Sequence, residues 1–158
     1  MYVIDGNNLL HAIYQTAGDS DAINDVALCK VVSRFLHLKS EKGEIIFDGA
    51  GPTDKIAFEN MSNLEVSFAG AGSDADTVIE DKIRASTAPK NLTIVSSDRR
   101  LRKAARTRKA IPIKSERFWA EVQNQLSRKK VVKEPAAKRQ GLSESETKKW
   151  LEFFDLES

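Results

Sequence analysis

The chain has 158 residues, a hydrophobic fraction of 41%, a charged fraction of 30% and a formal net charge of +2. These values are typical of one soluble globular domain with its own hydrophobic core. No apolar run approaches the roughly 20 residues of a membrane-spanning helix, and the N-terminus lacks a signal-peptide pattern, so we expect a cytoplasmic protein. The single cysteine, Cys29, lies in an apolar helical pattern and is expected to be packed in the core.

The first half of the chain shows strand and helix patterns separated by glycine-rich breaks. The β-branched run Tyr2-Val3-Ile4 predicts a buried strand that ends at Asp5, and later runs show the period of strands or of amphipathic helices. In this half, strands are predicted at residues 1–5, 44–48 and 64–68, and helices at 8–15 and 21–38.

The second half continues the alternation. Helices are predicted at residues 74–86 and 98–109 and from Ser115 onward, and strands at 92–95 and 111–113. Pro112 cannot donate a hydrogen bond to a neighbouring strand, so the last strand is expected at an edge of the sheet. Strands that alternate with helices predict an α/β fold, with a parallel sheet of four to five strands and helices on both faces.

Acidic residues recur where the predicted strands end. Asp5 ends the first strand, Asp48 ends the second, and Asp98 follows the fourth. Open α/β sheets bind ligands at the carboxyl ends of their strands, and carboxylate oxygens are the ligands that Mg²⁺ and Mn²⁺ prefer. The pattern therefore predicts a metal-binding cleft at this edge, although Asp48-Gly49 is equally typical of an ordinary turn.

Two further acids open the helix that follows the third strand. Asp74 and Asp76 are two residues apart and so point to different sides of that helix. Asp74 is equally consistent with an N-cap, whereas Asp76 shares a side with Glu80 that could face the cleft. Asp98 also begins a helix, for which Ser97 is the expected cap, and capping is the alternative to metal binding at Asp98.

The chain is basic after Asp98. On the helix that begins there, Lys and Arg recur three or four residues apart and form a stripe beside the predicted cleft. A solvated helix face is the alternative, but a stripe that starts at a candidate metal ligand favours contact with substrate phosphates. The candidate substrate-binding residues of this stripe are Arg99, Arg100, Arg102, Lys103 and Arg106.

The composition changes at about Ser127. Residues 128–141 are basic and lack an apolar period, so they are predicted to be either a linker or an arm that tracks the substrate. Residues 142–158 are predicted to contain a short amphipathic helix with Trp150, Leu151 and Phe154 as its apolar stripe. Such a short helix is expected to dock on another surface.

Three motifs taken together resemble those of a known family. They are Asp5-Gly6-Asn7-Asn8, the acidic segment 73–80, and Val95-Ser96-Ser97-Asp98. In this order and at these separations they resemble a NYN domain of the YacP-like branch, a PIN-like nuclease, over roughly residues 1–125. The resemblance implies a Rossmann-like PIN/NYN fold within a domain predicted at residues 1–127. It also implies a divalent-metal-dependent endoribonuclease that hydrolyses RNA phosphodiester bonds.

The resemblance also assigns roles to residues. Asp5, Asp76 and Asp98 match the metal-binding, catalytic acids of the family, Asp74 is a further match, and Asn8 matches the polar residue beside the first acid. Mg²⁺ or Mn²⁺ is the implied cofactor, because grouped carboxylates need a cation and such ions promote phosphodiester hydrolysis.

RNA is the implied partner. Association with the ribosome and the oligomeric state are left open, and no membrane partner is expected. The alternative function is a non-catalytic RNA-binding module with a PIN-like fold. The intact set of acids favours the enzyme, since a pure binder does not need them.

Overall fold

Short apolar runs form one parallel sheet in the computed structural model, which describes residues 1–17 and 23–133. The strands lie in the order β3-β2-β1-β4-β5, so β1 is central. Tyr2 of β1 pairs with Gly43 of β2 on one side and with Thr93 of β4 on the other. In chain order the strands are β1 (Tyr2–Asp5), β2 (Gly43–Phe47), β3 (Leu64–Phe68), β4 (Thr93–Val95) and β5 (Ile111–Ile113).

Helices connect the strands and cover both faces of the sheet. Two short 3₁₀ turns, at Ile56–Phe58 and Pro89–Asn91, precede β3 and β4. In the described ranges the α-helices are α1 (Gly6–Ala17), α2 (Asp25–Leu38), α3 (Ala75–Ala85), α4 (Arg99–Thr107) and α5 (Ser115–Lys133). The predicted α/β fold class, with a parallel sheet between helices, is confirmed.

The sheet separates two hydrophobic cores. Helices α1, α2 and α5 pack on one face, where the rings of Tyr2, Phe35 and Phe118 lie 5.4–6.4 Å apart. Helices α3 and α4 pack on the other face around Ile79 and Leu101. Cys29 is fully buried in the first core, as predicted. Burial of these apolar side chains fixes which helices share a face, and so which helix ends meet at the edge of the sheet.

Two predictions from the sequence concern the last strand and the last helix. Strand β5, with Pro112 at its centre, lies at an edge as expected. Helix α5 continues to Lys133, beyond the predicted start of the basic segment at residue 128. The rest of that segment and the predicted helix at 142–158 lie outside the described residues, so the division into domains stays a prediction. Within the described ranges, no helix combines the length and apolar character needed to cross a membrane.

Candidate active site

The strand order creates a crevice between β1 and β4. From β1 the chain builds outward through β2 to β3, then crosses to the other side of β1 to form β4. At such a reversal the connections diverge and leave space at the carboxyl ends of the strands. Asp5 is the last residue of β1, and Ser96, Ser97 and Asp98 directly follow β4. The first and third motifs therefore meet at this crevice.

Asp5 is a buried acid in contact with a second acid. Its side chain is only 4% exposed, and its carboxyl lies within hydrogen-bonding distance of the carboxyl of Asp76. Ser96 Oγ donates to Asp5 Oδ2 at 3.2 Å and the Asn8 N–H donates to Oδ1 at 3.4 Å. Burial, followed by the contact with Asp76, raises the pKa of Asp5 to about 7. Two carboxyls at this separation need a shared proton or a cation between them.

Asp76, the second residue of α3, is the electrostatic centre of the acidic group. Burial raises its pKa, and the negative charges of Asp98, Asp74 and Asp48 raise it further, while its hydrogen bond with Asp5 opposes them. The other four acids proposed from the sequence as metal ligands therefore all act on Asp76. This repulsion favours the binding of a cation.

Two of these acids accept hydrogen bonds from the first turn of α3, and a third, Asp98, does so at α4. Asp48 Oδ1 accepts from the N–H of Ala75 at 2.8 Å, and Asp74 Oδ1 accepts from the N–H of Thr77 at 2.7 Å. Both bonds satisfy N–H groups in the first turn of α3. The hydrogen bond from Thr77 also holds the pKa of Asp74 below its usual range.

At α4 the cap differs from the one expected. Asp98 Oδ1 accepts from the N–H groups of Arg100 at 2.8 Å and Leu101 at 3.4 Å, so Asp98 is the cap and the assignment of Ser97 was wrong. A carboxylate at this position can accept hydrogen bonds from the free N–H groups with only one of its two oxygens. Capping and metal binding are thus compatible at Asp98, because the bonds use Oδ1 and leave Oδ2 for another ligand.

The acids do not form a complete metal site by themselves. Within residues 1–16 and 23–128, no three acidic, histidine or cysteine side chains are close enough to hold an ion together. The structure brings Asp5 and Asp76 into contact and places Asp48, Asp74 and Asp98 around them. The carboxyl oxygens of the contacting pair fit a hard divalent cation, and the assignment of individual ligands stays a prediction.

The two asparagines of the first motif form hydrogen bonds with the segments that border the crevice. Asn7 Oδ1 accepts from the N–H of Asp48 at 2.7 Å and so fixes the loop after β2. Asn8 Oδ1 accepts from the N–H of Ser97 at 2.9 Å and from Ser115 Oγ at 2.6 Å. The carbonyl oxygen of Asn8 is therefore used to join α1, the loop after β4 and the start of α5. Because this oxygen is already used, the Asn8 side chain would contact a substrate through its NH₂ group.

Ser96, in the third motif, is a site residue to which the sequence pattern assigned no role. Its side chain is fully buried, its Oγ donates to Asp5, and the same Oγ accepts from the N–H of Asp98 at 3.1 Å. One hydroxyl thus connects two candidate ligands across β1 and β4. The sequence did contain a signal for this role, because a small polar residue directly after a buried strand is well placed to orient a neighbouring carboxylate.

Gly6 allows α1 to begin directly after Asp5. A Cβ atom at this position would lie 2.5 Å from ring carbons of Phe47. Side chains do not tolerate such a distance, so a larger residue would push the start of α1 away from β2. The glycine of the first motif is therefore required by close packing beside the acid.

The predicted basic stripe is only partly free to meet a substrate. Arg99, Lys103 and Arg106 are exposed, and Arg102 is half-buried. The Nη1 atom of Arg102 is buried and makes no hydrogen bond within the described part of the chain. Arg100 instead forms an ion pair with Glu80 of α3. Glu80, which shared a predicted face with Asp76, is thus directed toward α4.

Comparison with known proteins agrees with this arrangement. The sequence pattern of the YacP-like NYN domain matches residues 2–155. The crystal structure of Rae1 (YacP) from Bacillus subtilis superposes with a TM-score of 0.62 at 18% identity, covering 98% of this chain and 92% of that one. A tryptophan-to-leucine variant of the same protein superposes with a TM-score of 0.62 at 19% identity over 85% of each chain. No curated protein matches this sequence.

Proposed function

Because this chain belongs to the family of YacP-like NYN domains, we propose that it is an endoribonuclease that uses Mg²⁺ or Mn²⁺ to hydrolyse RNA phosphodiester bonds. The observation that supports this most directly is the contact between the carboxyl groups of Asp5 and Asp76. Asp5 is almost fully buried, and a buried carboxyl beside a second acid destabilises the metal-free protein. A site that carries this cost is better explained by a bound cation than by packing.

The donor atoms around the pair suit such an ion. Asp5 and Asp76 would hold it directly, and the Asp98 oxygen that does not cap α4 would reach it through a bound water molecule or after a shift of its side chain. A divalent cation bound there would polarise a water molecule and neutralise charge that develops on the phosphate. Ser96 keeps the carboxylate of Asp5 in a fixed orientation, and the exposed bases of α4 would bind the RNA chain.

The acids also argue against a module that only binds RNA. RNA is a polyanion, so five carboxylates at the edge where it would lie weaken binding unless a cation is present. The basic stripe explains affinity without them. A cleavage reaction explains both the acids and the stripe.

The proposal predicts internal cleavage that depends on a divalent ion. A single-stranded RNA with both ends chemically blocked should be cut in Mg²⁺ or Mn²⁺ and should stay intact after addition of EDTA, because the acids cannot act without the cation. Gel electrophoresis of the products measures this. Cleavage that persists in EDTA would contradict metal dependence, and RNA binding with no cleavage in either ion would indicate the binding module.

The basic stripe should supply much of the RNA affinity. Replacing Arg99, Arg102 and Arg106 together by Gln should weaken binding, and each lost phosphate contact should reduce the slope of log K against log salt by about 0.7 for a single strand. The matched control is the corresponding triple replacement by Lys, which keeps the charges and should keep the slope. A Gln triple variant with the slope of the wild type would show that α4 does not bind the RNA backbone.

A further inference from the structure

Arg100 is fixed beside the candidate site by a carboxylate of the neighbouring helix. Its Nε atom lies 3.0 Å from Glu80 Oε2, and its Nη2 atom lies 3.2 Å from Glu80 Oε1. The Glu80 side chain is 21% exposed and the Arg100 side chain 50% exposed. A two-point contact of this kind fixes the plane of the guanidinium group, which a single hydrogen bond would not do.

The contact uses one edge of the guanidinium group and leaves the other. Glu80 occupies the edge formed by Nε and Nη2, so the edge formed by Nη1 and the second hydrogen of Nη2 can receive another two-point acceptor. Arg100 lies two residues after Asp98 in the first turn of α4, and its partner Glu80 lies one turn after Asp76 on α3, so the ion pair is close to the acidic crevice. A phosphate group bound at the remaining edge would lie next to the acids.

Glu80 has a second cation as partner. Arg84 Nη2 lies 2.8 Å from Glu80 Oε1, so two guanidinium groups share one carboxylate. Asp81 also pairs with Arg84, at 3.6 Å, so the charges of this group balance. The case for a bound phosphate group therefore rests on the fixed plane and the remaining edge of Arg100, not on a net charge of the group.

We propose that Glu80 is a positioning residue, which orients Arg100 so that its outward edge binds a phosphate group of RNA next to the pair Asp5 and Asp76. This inference rests on the proposed ribonuclease function. Glu80 itself touches neither substrate nor metal and acts through Arg100.

The sign of the effect of Glu80→Gln tests the proposal. The substitution removes a negative charge, and long-range electrostatics alone would then tighten RNA binding. Loss of the fixed orientation of Arg100 predicts the opposite, with a Kd about threefold higher or more and kcat/KM lower by about tenfold. Kd is measured by fluorescence anisotropy with a labelled single-stranded RNA, and kcat/KM with the same RNA in Mn²⁺.

The neighbouring residue supplies a matched control. Asp81→Asn removes the same charge from the same helix, and Asp81 pairs at 3.6 Å with Arg84 and is 65% exposed. It should leave Kd unchanged or slightly lower. The proposal is overturned if Glu80→Gln binds RNA as tightly as Asp81→Asn.

Two further variants separate positioning from a merely structural effect. If Glu80 acts through Arg100, the double variant Glu80→Gln, Arg100→Gln should be no weaker than Arg100→Gln alone, whereas additive losses would contradict the proposal. If Glu80→Gln melts at a much lower temperature, Arg100→Lys decides, because it keeps the charge but loses the two-edged geometry. Wild-type affinity in Arg100→Lys would overturn the inference, whereas a wild-type protein inactive on RNA would overturn the proposed function itself.

Discussion

Asp5→Asn is expected to abolish RNA cleavage and, at the same time, to stabilise the metal-free protein at pH 8. The amide has the size of the carboxyl group, its single oxygen can accept from either Ser96 Oγ or the Asn8 N–H, and its NH₂ group can act as a donor beside Asp76. It removes the buried charge beside Asp76 but supplies a poorer ligand for a divalent ion. Changes outside the first ligand shell cost 10–100-fold in other metal enzymes, so we expect a loss of more than about a hundredfold here.

The gain in stability should depend on pH in a defined direction. The pKa of Asp5 is raised in the folded protein to about 7, so the folded state favours the protonated form. This contribution is fully present below the unfolded pKa near 4 and is lost as the pH rises through 7. The wild type should therefore lose stability relative to Asp5→Asn across this interval, by at least about 1 kcal/mol, or about 2–4 °C in Tm.

Thermal unfolding with and without Mn²⁺ measures both consequences. At pH 8 the ion should raise the Tm of the wild type and have little effect on Asp5→Asn, because binding to the folded state stabilises it by mass action. Asp98→Asn is the companion variant, since Asn caps a helix as well as Asp and its Tm should match that of the wild type. If either variant cleaved RNA at the rate of the wild type, its residue would not be a required ligand.

The second large effect is expected at Asp76, and its neighbour Asp74 serves as the comparison. Asp76→Ala removes the carboxyl that contacts Asp5, so it should eliminate cleavage with little loss of thermal stability, since the repulsion within the pair disappears as well. Asp74→Ala removes the cap that accepts from the Thr77 N–H at 2.7 Å. It should lower Tm by a few degrees and keep most of the activity.

Melting temperature and turnover measured on both variants separate the two roles. The two residues lie two positions apart at the start of α3, so a general disturbance of that helix would affect both variants alike. Loss of activity at Asp74 and loss of stability at Asp76 would reverse the assignment. Equal losses of activity would mean that both carboxylates bind the ion.

The sequence alone was sufficient for the architecture. Apolar residues with periods of 2 and 3.6 are a local property of the chain, so strands such as the one ending at Asp5 and amphipathic helices could be predicted without knowing their neighbours. Alternation of the two types then leaves few topologies besides a parallel sheet with helices on both faces. The position of Pro112 at an edge followed from its missing N–H group.

The sequence alone could not separate an acid that caps a helix from an acid that meets another acid. Aspartate is favoured for both roles at a strand end or a helix start, so Asp74 and Asp98 stayed open between capping and metal binding. The predicted cap Ser97 was wrong for the same reason, since Ser and Asp compete for that position and Asp98 is the residue in place.

Only the tertiary structure decided which side chains touch. Asp5 and Asp76 lie on β1 and α3, far apart in sequence, and they meet because the chain crosses from β3 to the other side of β1 and directs both elements to one crevice. Glu80 and Arg100 pair because α3 and α4 pack on the same face of the sheet. Such contacts depend on strand order and on the packing of whole helices, which are set by burial across the entire core rather than by any local pattern.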